Sequence, residues 1–247
     1  MTRPSTRMLA GLLLLLLTTL LAACRGPEPE APPPARPITA EEAQILATSR
    51  FLNYDARTRA FTTTVAVDHQ QVTLEGWIDF VTHTGYARAT GREFAPQLLR
   101  WNLGIAALQP ATNAATGKPE LPMPEHGWQT RQLDVARSTL DTVLLVIANL
   151  GLDRPENPLL LQQGGALWLR EETLDGRVLT VYAAPANDKP ASASTSPDDS
   201  GLRLWVDAAG MMHRVEVRTG AEWSTVDLED AKDVRLPKLS AQPSGTR

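Results

Sequence analysis

The sequence predicts an α+β domain built on one large antiparallel sheet. Three observations predict it. A capped amphipathic helix opens the domain near residue 39, long stretches of two-residue apolar alternation follow, and one short helix that is apolar on nearly every side interrupts them. Alternating strand–helix–strand units, which a parallel sheet requires, do not occur in the pattern.

Thr39-Ala40-Glu41-Glu42 is a capping box, with threonine at the cap and glutamate three residues on. The helix it starts, to about Asn53, carries Ala43, Leu46, Ala47 and Phe51 on one stripe, the face expected against the sheet. From Arg59 the period is two: Phe61, Thr63, Val65 and Val67 share a face. After a turn at Asp68-His69-Gln70, Val72, Leu74, Gly76, Ile78 and Phe80 alternate with Thr73, Glu75, Trp77 and Asp79. Thr84-Gly85 turns into a strand at Tyr86–Thr90, and shorter strands are expected at Leu98–Trp101 and Ile105–Leu108. Pro110–Gly127, with four prolines, reads as a loop.

Arg137–Leu150 is the second helix, with Ser138 as cap and Gly151 expected to end it in a left-handed conformation. Its interior, Leu140 to Ala148, is apolar around most of its circumference, which in a water-soluble domain means burial on several sides. A third, short helix is expected from Pro158, capped by Asn157 and stopped at Gly164-Gly165. Strands then resume: Ala166–Leu174 and Arg177–Ala184 flank the hairpin turn Asp175-Gly176. Leu202–Asp207 pairs with Met211–Arg218, and Glu222–Leu228 follows. Pro185–Ser200, rich in Ala, Ser, Pro and Asp, reads as a mobile loop, and the residues after Asp230 as a loosely held tail. Consecutive hairpins of this kind favour a sheet with one polar and one apolar face.

The amino terminus assigns a location. Arg3 and Arg7 precede a 14-residue apolar run, Met8–Leu21, which is shorter than the roughly 20 residues a spanning helix needs. A basic start, a short apolar run and small residues before a cut describe a secretory signal. Leu21-Ala22-Ala23-Cys24 resembles the lipobox of bacterial lipoproteins, and Cys24 is the only cysteine in the chain. That resemblance implies cleavage before Cys24, a diacylglyceryl thioether on its sulfur and acylation, for instance by palmitate, of its new amino group. Two acyl chains suffice for stable attachment where one does not. The expected organisation is therefore a signal peptide (1–23), a lipidated cysteine and proline-rich tether (24–37), one domain (38–237) with the mobile loop 185–200, and a flexible tail (238–247). The expected place is the extracytoplasmic face of the cell membrane.

Removing Arg3 and Arg7 leaves 22 basic against 28 acidic residues, a charge of −6. No basic stripe is present, so nucleic acid is an unexpected partner. The histidines His69, His83, His126 and His213 have no metal-binding spacing, and no nucleophile elbow or phosphate loop occurs. The expectation is a protein without catalytic residues, cofactor or metal. Trp77 and Trp205 alternate out of step with their aliphatic neighbours and are expected to pack on the other face of the sheet.

The segment Gly201-Leu-Arg-Leu-Trp-Val-Asp-Ala-Ala-Gly-Met-Met-His-Arg-Val-Glu-Val resembles the late hairpin of the mycobacterial LppX/LprG lipoproteins and of the outer-membrane lipoprotein carriers. Phe51-Leu-Asn-Tyr-Asp, Gly76-Trp-Ile-Asp-Phe, Gly85-Tyr-Ala and Trp101-Asn are similar to a set of actinobacterial lipoproteins of uncharacterised function. The resemblance implies a sheet curled into a half-barrel, with helices covering its concave side over a hydrophobic cavity for a lipid or acylated protein. By that analogy the cavity would be lined by Val65, Leu74, Ile78, Phe80, Leu204 and Val206 of the sheet and by Val143, Leu144 and Ile147 of the apolar helix. The same side chains could instead fill the space as core. The leading functional expectation is a lipid-anchored carrier of a hydrophobic ligand. The alternative is an envelope sensor or assembly module that binds another protein and has no ligand cavity.

Overall fold

Thr39 starts helix α1 (Ala40–Ala56) through the predicted capping box: its hydroxyl accepts from the Glu42 amide, and the Glu42 carboxylate accepts from the Thr39 amide at 2.8 Å. The computed structural model that shows this describes residues 34–112, 115–185, 196–231 and 233–239, all within one compact unit, Pro34–Arg247. The predicted signal, Cys24, most of the tether, residues 186–195 of the predicted mobile loop and the residues from 240 onward lie outside the described residues.

Helix α1 buries Ala43, Leu46, Ala47, Ser49 and Asn53, while Phe51 is only partly covered. The alternating segments become β2 (Thr58–Val67), β3 (Gln70–Asp79), β4 (Thr84–Gly91), β5 (Gln97–Trp101) and β6 (Ile105–Pro110). They form a continuous antiparallel meander in which Val65 faces Val72 and Trp77 faces Tyr86. The later hairpins give β8 (Leu167–Leu174), β9 (Arg177–Ala183), β10 (Leu202–Val206), β11 (Met212–Thr219) and β12 (Glu222–Asp230). Asp175 and Gly176 hold φ of 50° and 77°, the mirror-image turn that Asp-Gly predicts.

Two strands had no sequence signal. Arg36 and Pro37, expected in the tether, form β1 (Arg36–Pro37) against Trp168 and Leu167. Gln129–Gln132, β7, is exposed along its whole length and carries no apolar alternation, so only its pairing with β6 defines it. The twelve strands make one sheet in the order β1-β8-β9-β10-β11-β12-β2-β3-β4-β5-β6-β7. It is α+β, antiparallel throughout, curved and not closed, with the helices on its concave side.

Helix α2 (Thr139–Ala148) is shorter than predicted, and Gly151 does not end it. The turn passes through Asn149 at φ −96°, and side chains take the free carbonyls: His83 Nδ1 donates to Ala148 O at 2.7 Å, and Arg50 binds Asn149 O. Gly151 is needed for a different reason, since a Cβ there would stand 2.5 Å from the Cβ of Phe80. Helix α3 (Pro158–Gln163) has Asn157 as its cap and ends at Gly165 with φ 80°, as expected.

The main core fills the space between the helices and the concave face. Phe61, Val65, Leu74, Ile78, Phe80, Trp101, Val143, Leu144, Ile147, Val206 and Val215 are all buried in it. Trp101 meets Phe61 edge-on at 5.7 Å and donates from Nε1 to the Leu144 carbonyl at 2.9 Å, which ties α2 to β5.

The convex face departs from the expected polar surface. Trp77, Tyr86 and Leu98 are covered by Met123 of the proline-rich segment, by Trp128 just after it, and by Val234 and Leu236. Trp205 is buried with Leu169, Leu179 and Val181 in a second cluster on that face. Both tryptophans thus pack as expected. The segment after Asp230 is held too, since Leu236 and Leu239 are buried and Asn102 Nδ2 donates to Leu239 O at 2.9 Å.

Candidate functional site

Helix α2 is apolar on nearly all sides because two different surfaces use it. Leu140, Val143, Leu144 and Ile147 face the core. Leu145 and Val146 are half-buried and form one wall of a cleft, with Val146 also packed against the edge of the core. Leu46 of α1 and Leu161 of α3 supply further walls, with Leu202, Leu204 and Met212 of the β10–β11 hairpin as the floor and Ala184 and Pro185 at one end. The cleft holds about 400 Å³, within the range of small-molecule sites.

A polar constellation stands on one side of this apolar space. Arg50 reaches from α1 and donates from Nε and Nη2 to Asn149 O at 3.0 and 2.7 Å, occupying the negative end of the α2 dipole. Its Nη1 donates to Glu156 Oε1 at 3.2 Å. Arg50, Asn149 and Glu156 all line the cleft, and the Arg50 and Glu156 side chains are each 28% exposed. The arrangement offers apolar walls with one guanidinium and one carboxylate at the edge. Beside it, Leu159 and Leu160 of α3 point outward and are each 63% exposed.

Of the nine residues predicted to line a cavity, Leu204 lines this cleft. Val65, Leu74, Ile78, Phe80, Val143, Leu144, Ile147 and Val206 are each 0% exposed and packed together as core. They do share one interior, but it is filled, and the open space lies at its margin, where Leu145, Val146 and Asn149 of α2 meet Leu46, Leu161, Leu204 and Met212. Arg50, Glu156, Leu145 and Val146 were not singled out from sequence. The available signal was the second apolar face of α2, which one layer of sheet could not cover.

Two other depressions are lined by charges of both signs. A groove of about 610 Å³ runs past Arg57, Asp79, Asp230 and Arg235. Another of about 510 Å³ contains Arg177, His213, Arg214 and Asp227. In the second, Arg177 donates to His213 Nδ1 at 3.0 Å, so Nε2 carries the proton and donates to Asp207 at 2.9 Å. Burial alone would raise the Asp207 carboxyl, but His213 and the Met211 and Ala209 amides outweigh it and hold the group below its ordinary value. Those contacts brace the β10–β11 turn, a structural use of the network. Among the described residues no three His, Cys, Asp or Glu side chains group as a metal site, and no helix is long and apolar enough to cross a membrane.

No family model matches the chain, and no curated protein matches it. Solved structures do. LprF from Mycobacterium bovis is similar at 10% identity with a TM-score of 0.46, over 82% of this chain and 98% of that one. The lipoprotein LppX of Mycobacterium tuberculosis is similar at 12% identity and a TM-score of 0.41, over 80% and 98%. An outer-membrane lipoprotein-sorting protein domain from Vibrio parahaemolyticus is similar at 8% and 0.27, over 78% and 92%.

Proposed function

We propose that this chain is a membrane-anchored extracytoplasmic lipoprotein that binds a hydrophobic ligand in the cleft between α1, α2, α3 and the β10–β11 hairpin. The observation that carries this reading is the 400 Å³ apolar cleft itself, set against a core that is otherwise filled. The sequence adds the anchor at Cys24, which would hold the domain at a lipid surface where such ligands are found. The role we propose is binding, supported by apolar walls that carry a single ion pair at their edge.

The volume bounds the ligand. At roughly 30 Å³ per heavy atom, the space of one liquid water, the cleft takes about a dozen methylenes. Burying them at about 0.8 kcal/mol each gives a gross gain near 10 kcal/mol, much of which offsets the cost of association.

The test is native mass spectrometry with lipid extraction of the full chain recovered from membranes. A stoichiometric co-purifying lipid is expected, and Val146→Trp, which puts an indole into the cleft wall, should abolish it with the melting temperature little changed. Position 146 is chosen over Ile147 because Ile147 is core, where a tryptophan would overpack. Full lipid recovery from Val146→Trp would overturn the assignment of the cleft. An empty protein would move the reading to a protein-binding module, for which exposed Leu159 and Leu160 are the first residues to replace.

A further inference from the structure

We infer that the cleft takes a single-chain amphiphile with a carboxylate head, and that Arg50 receives that head by exchange with Glu156. The inference rests on the cleft being a ligand site and adds the chemical class of the ligand.

Two observations carry it. The first is size: about 400 Å³ accommodates one chain of roughly a dozen carbons, and a lipid with two or three long chains would exceed it several-fold. The second is the charge beside the apolar wall. Arg50 uses Nε and Nη2 on Asn149 O, which fixes the guanidinium plane, and spends Nη1 on the Glu156 carboxylate. That last contact, at 3.2 Å between side chains each 28% exposed, is a partly solvated ion pair. Such pairs contribute little, so a second carboxylate can displace the first at small cost. Glu156 thus occupies the place that a ligand carboxylate takes when its chain lies along Leu145, Val146 and Leu204. A guanidinium matches a planar carboxylate better than a hydroxyl and repels a cationic head.

The test uses the full chain in phosphatidylcholine nanodiscs with three twelve-carbon photocrosslinking probes, bearing a carboxylate, an alcohol or a trimethylammonium head. Labelling of peptides from residues 140–163 and 202–212 is measured against probe concentration by mass spectrometry. The carboxylate should label these peptides at about tenfold lower concentration than the alcohol, as a hydrogen bond to a charged group implies. Glu156→Gln should tighten the carboxylate by about threefold, within the range for an exposed pair, and leave the alcohol unchanged. Arg50→Gln should erase the preference for the carboxylate over the alcohol, and an unchanged circular-dichroism spectrum shows that the variant is folded. Equal labelling by all three probes in the unmodified chain would overturn the role of Arg50 and leave the cleft standing. No labelling of these peptides by any probe would overturn the cleft as well.

Discussion

Arg59 is 1% exposed, on the concave face of β2 beneath α1. Burial lowers its pKa, with the Asp230 and Asp207 carboxylates pulling the other way. The cation is tolerated because its hydrogens are used: Nη1 donates to Met212 O at 2.5 Å and Asn53 Oδ1 at 3.1 Å, and Nη2 to Leu228 O at 3.1 Å. Asn53, itself fully buried, passes the link on to Leu150 O at 2.9 Å. One guanidinium thereby joins α1, β11, β12 and the end of α2. Arg59→Met should cost at least about 3 kcal/mol, because it strands several buried acceptors at 1–3 kcal/mol each. Urea unfolding should show a lower midpoint at an unchanged slope. A loss below 1 kcal/mol would mean that water replaces the guanidinium. Position 59 continues the inward alternation of Phe61, Thr63 and Val65, so its direction was legible in the sequence. Its burial was not, because the carbonyls that accept from it lie more than 150 residues away.

At the scale of elements, edge strand β7 has nothing apolar to hold it, and an ion pair from a half-exposed arginine to a buried aspartate supplies the hold. Arg131 of β7 grips Asp141 in the first turn of α2 through two hydrogen bonds of 2.5 and 2.6 Å, and the Asp134 amide adds a third at 2.8 Å. Burial would raise the Asp141 carboxyl, but the Arg131 and Asp134 hydrogen bonds outweigh it and hold the group below its ordinary value. A carboxyl depressed on folding contributes stability that is present above its ordinary pKa and lost as pH falls through the lower, folded value. Amide exchange at residues 105–108 and 129–132 should therefore speed up below pH 4 before the central strands open. Asp141→Asn should produce the same loosening at neutral pH, at a cost of about 1–2 kcal/mol, since the Arg131 side chain left behind is half-exposed to water. If β7 and the central strands lose protection together, the pair is not what holds the edge. The charge of Asp141 was visible in the sequence as a favourable first-turn acid, but β7 was not, since four polar residues carry no periodic signal.

At the scale of the whole molecule, the proposed function requires the domain, the anchor expected at Cys24 and the cleft to act together. Cys24→Ser should leave the precursor uncut or release the protein from the membrane, read by flotation and intact mass. A mature, membrane-bound protein in that variant would remove the anchor from the proposed function. The sequence by itself determined the α+β class, the capping box at Thr39, the Asp175-Gly176 turn and the order of hairpins. Those features are set by neighbours within a few residues, where propensity, capping and two-residue alternation act directly. Only the tertiary structure decided which side of α2 is core and which is cleft, that the convex face carries a second packed layer, and that Arg50 meets Glu156. A helix apolar all round looks the same in sequence whichever side is covered. Arg50 and Glu156 stand 106 positions apart, and only the folding of α1 against the end of α2 brings their charges within hydrogen-bond reach.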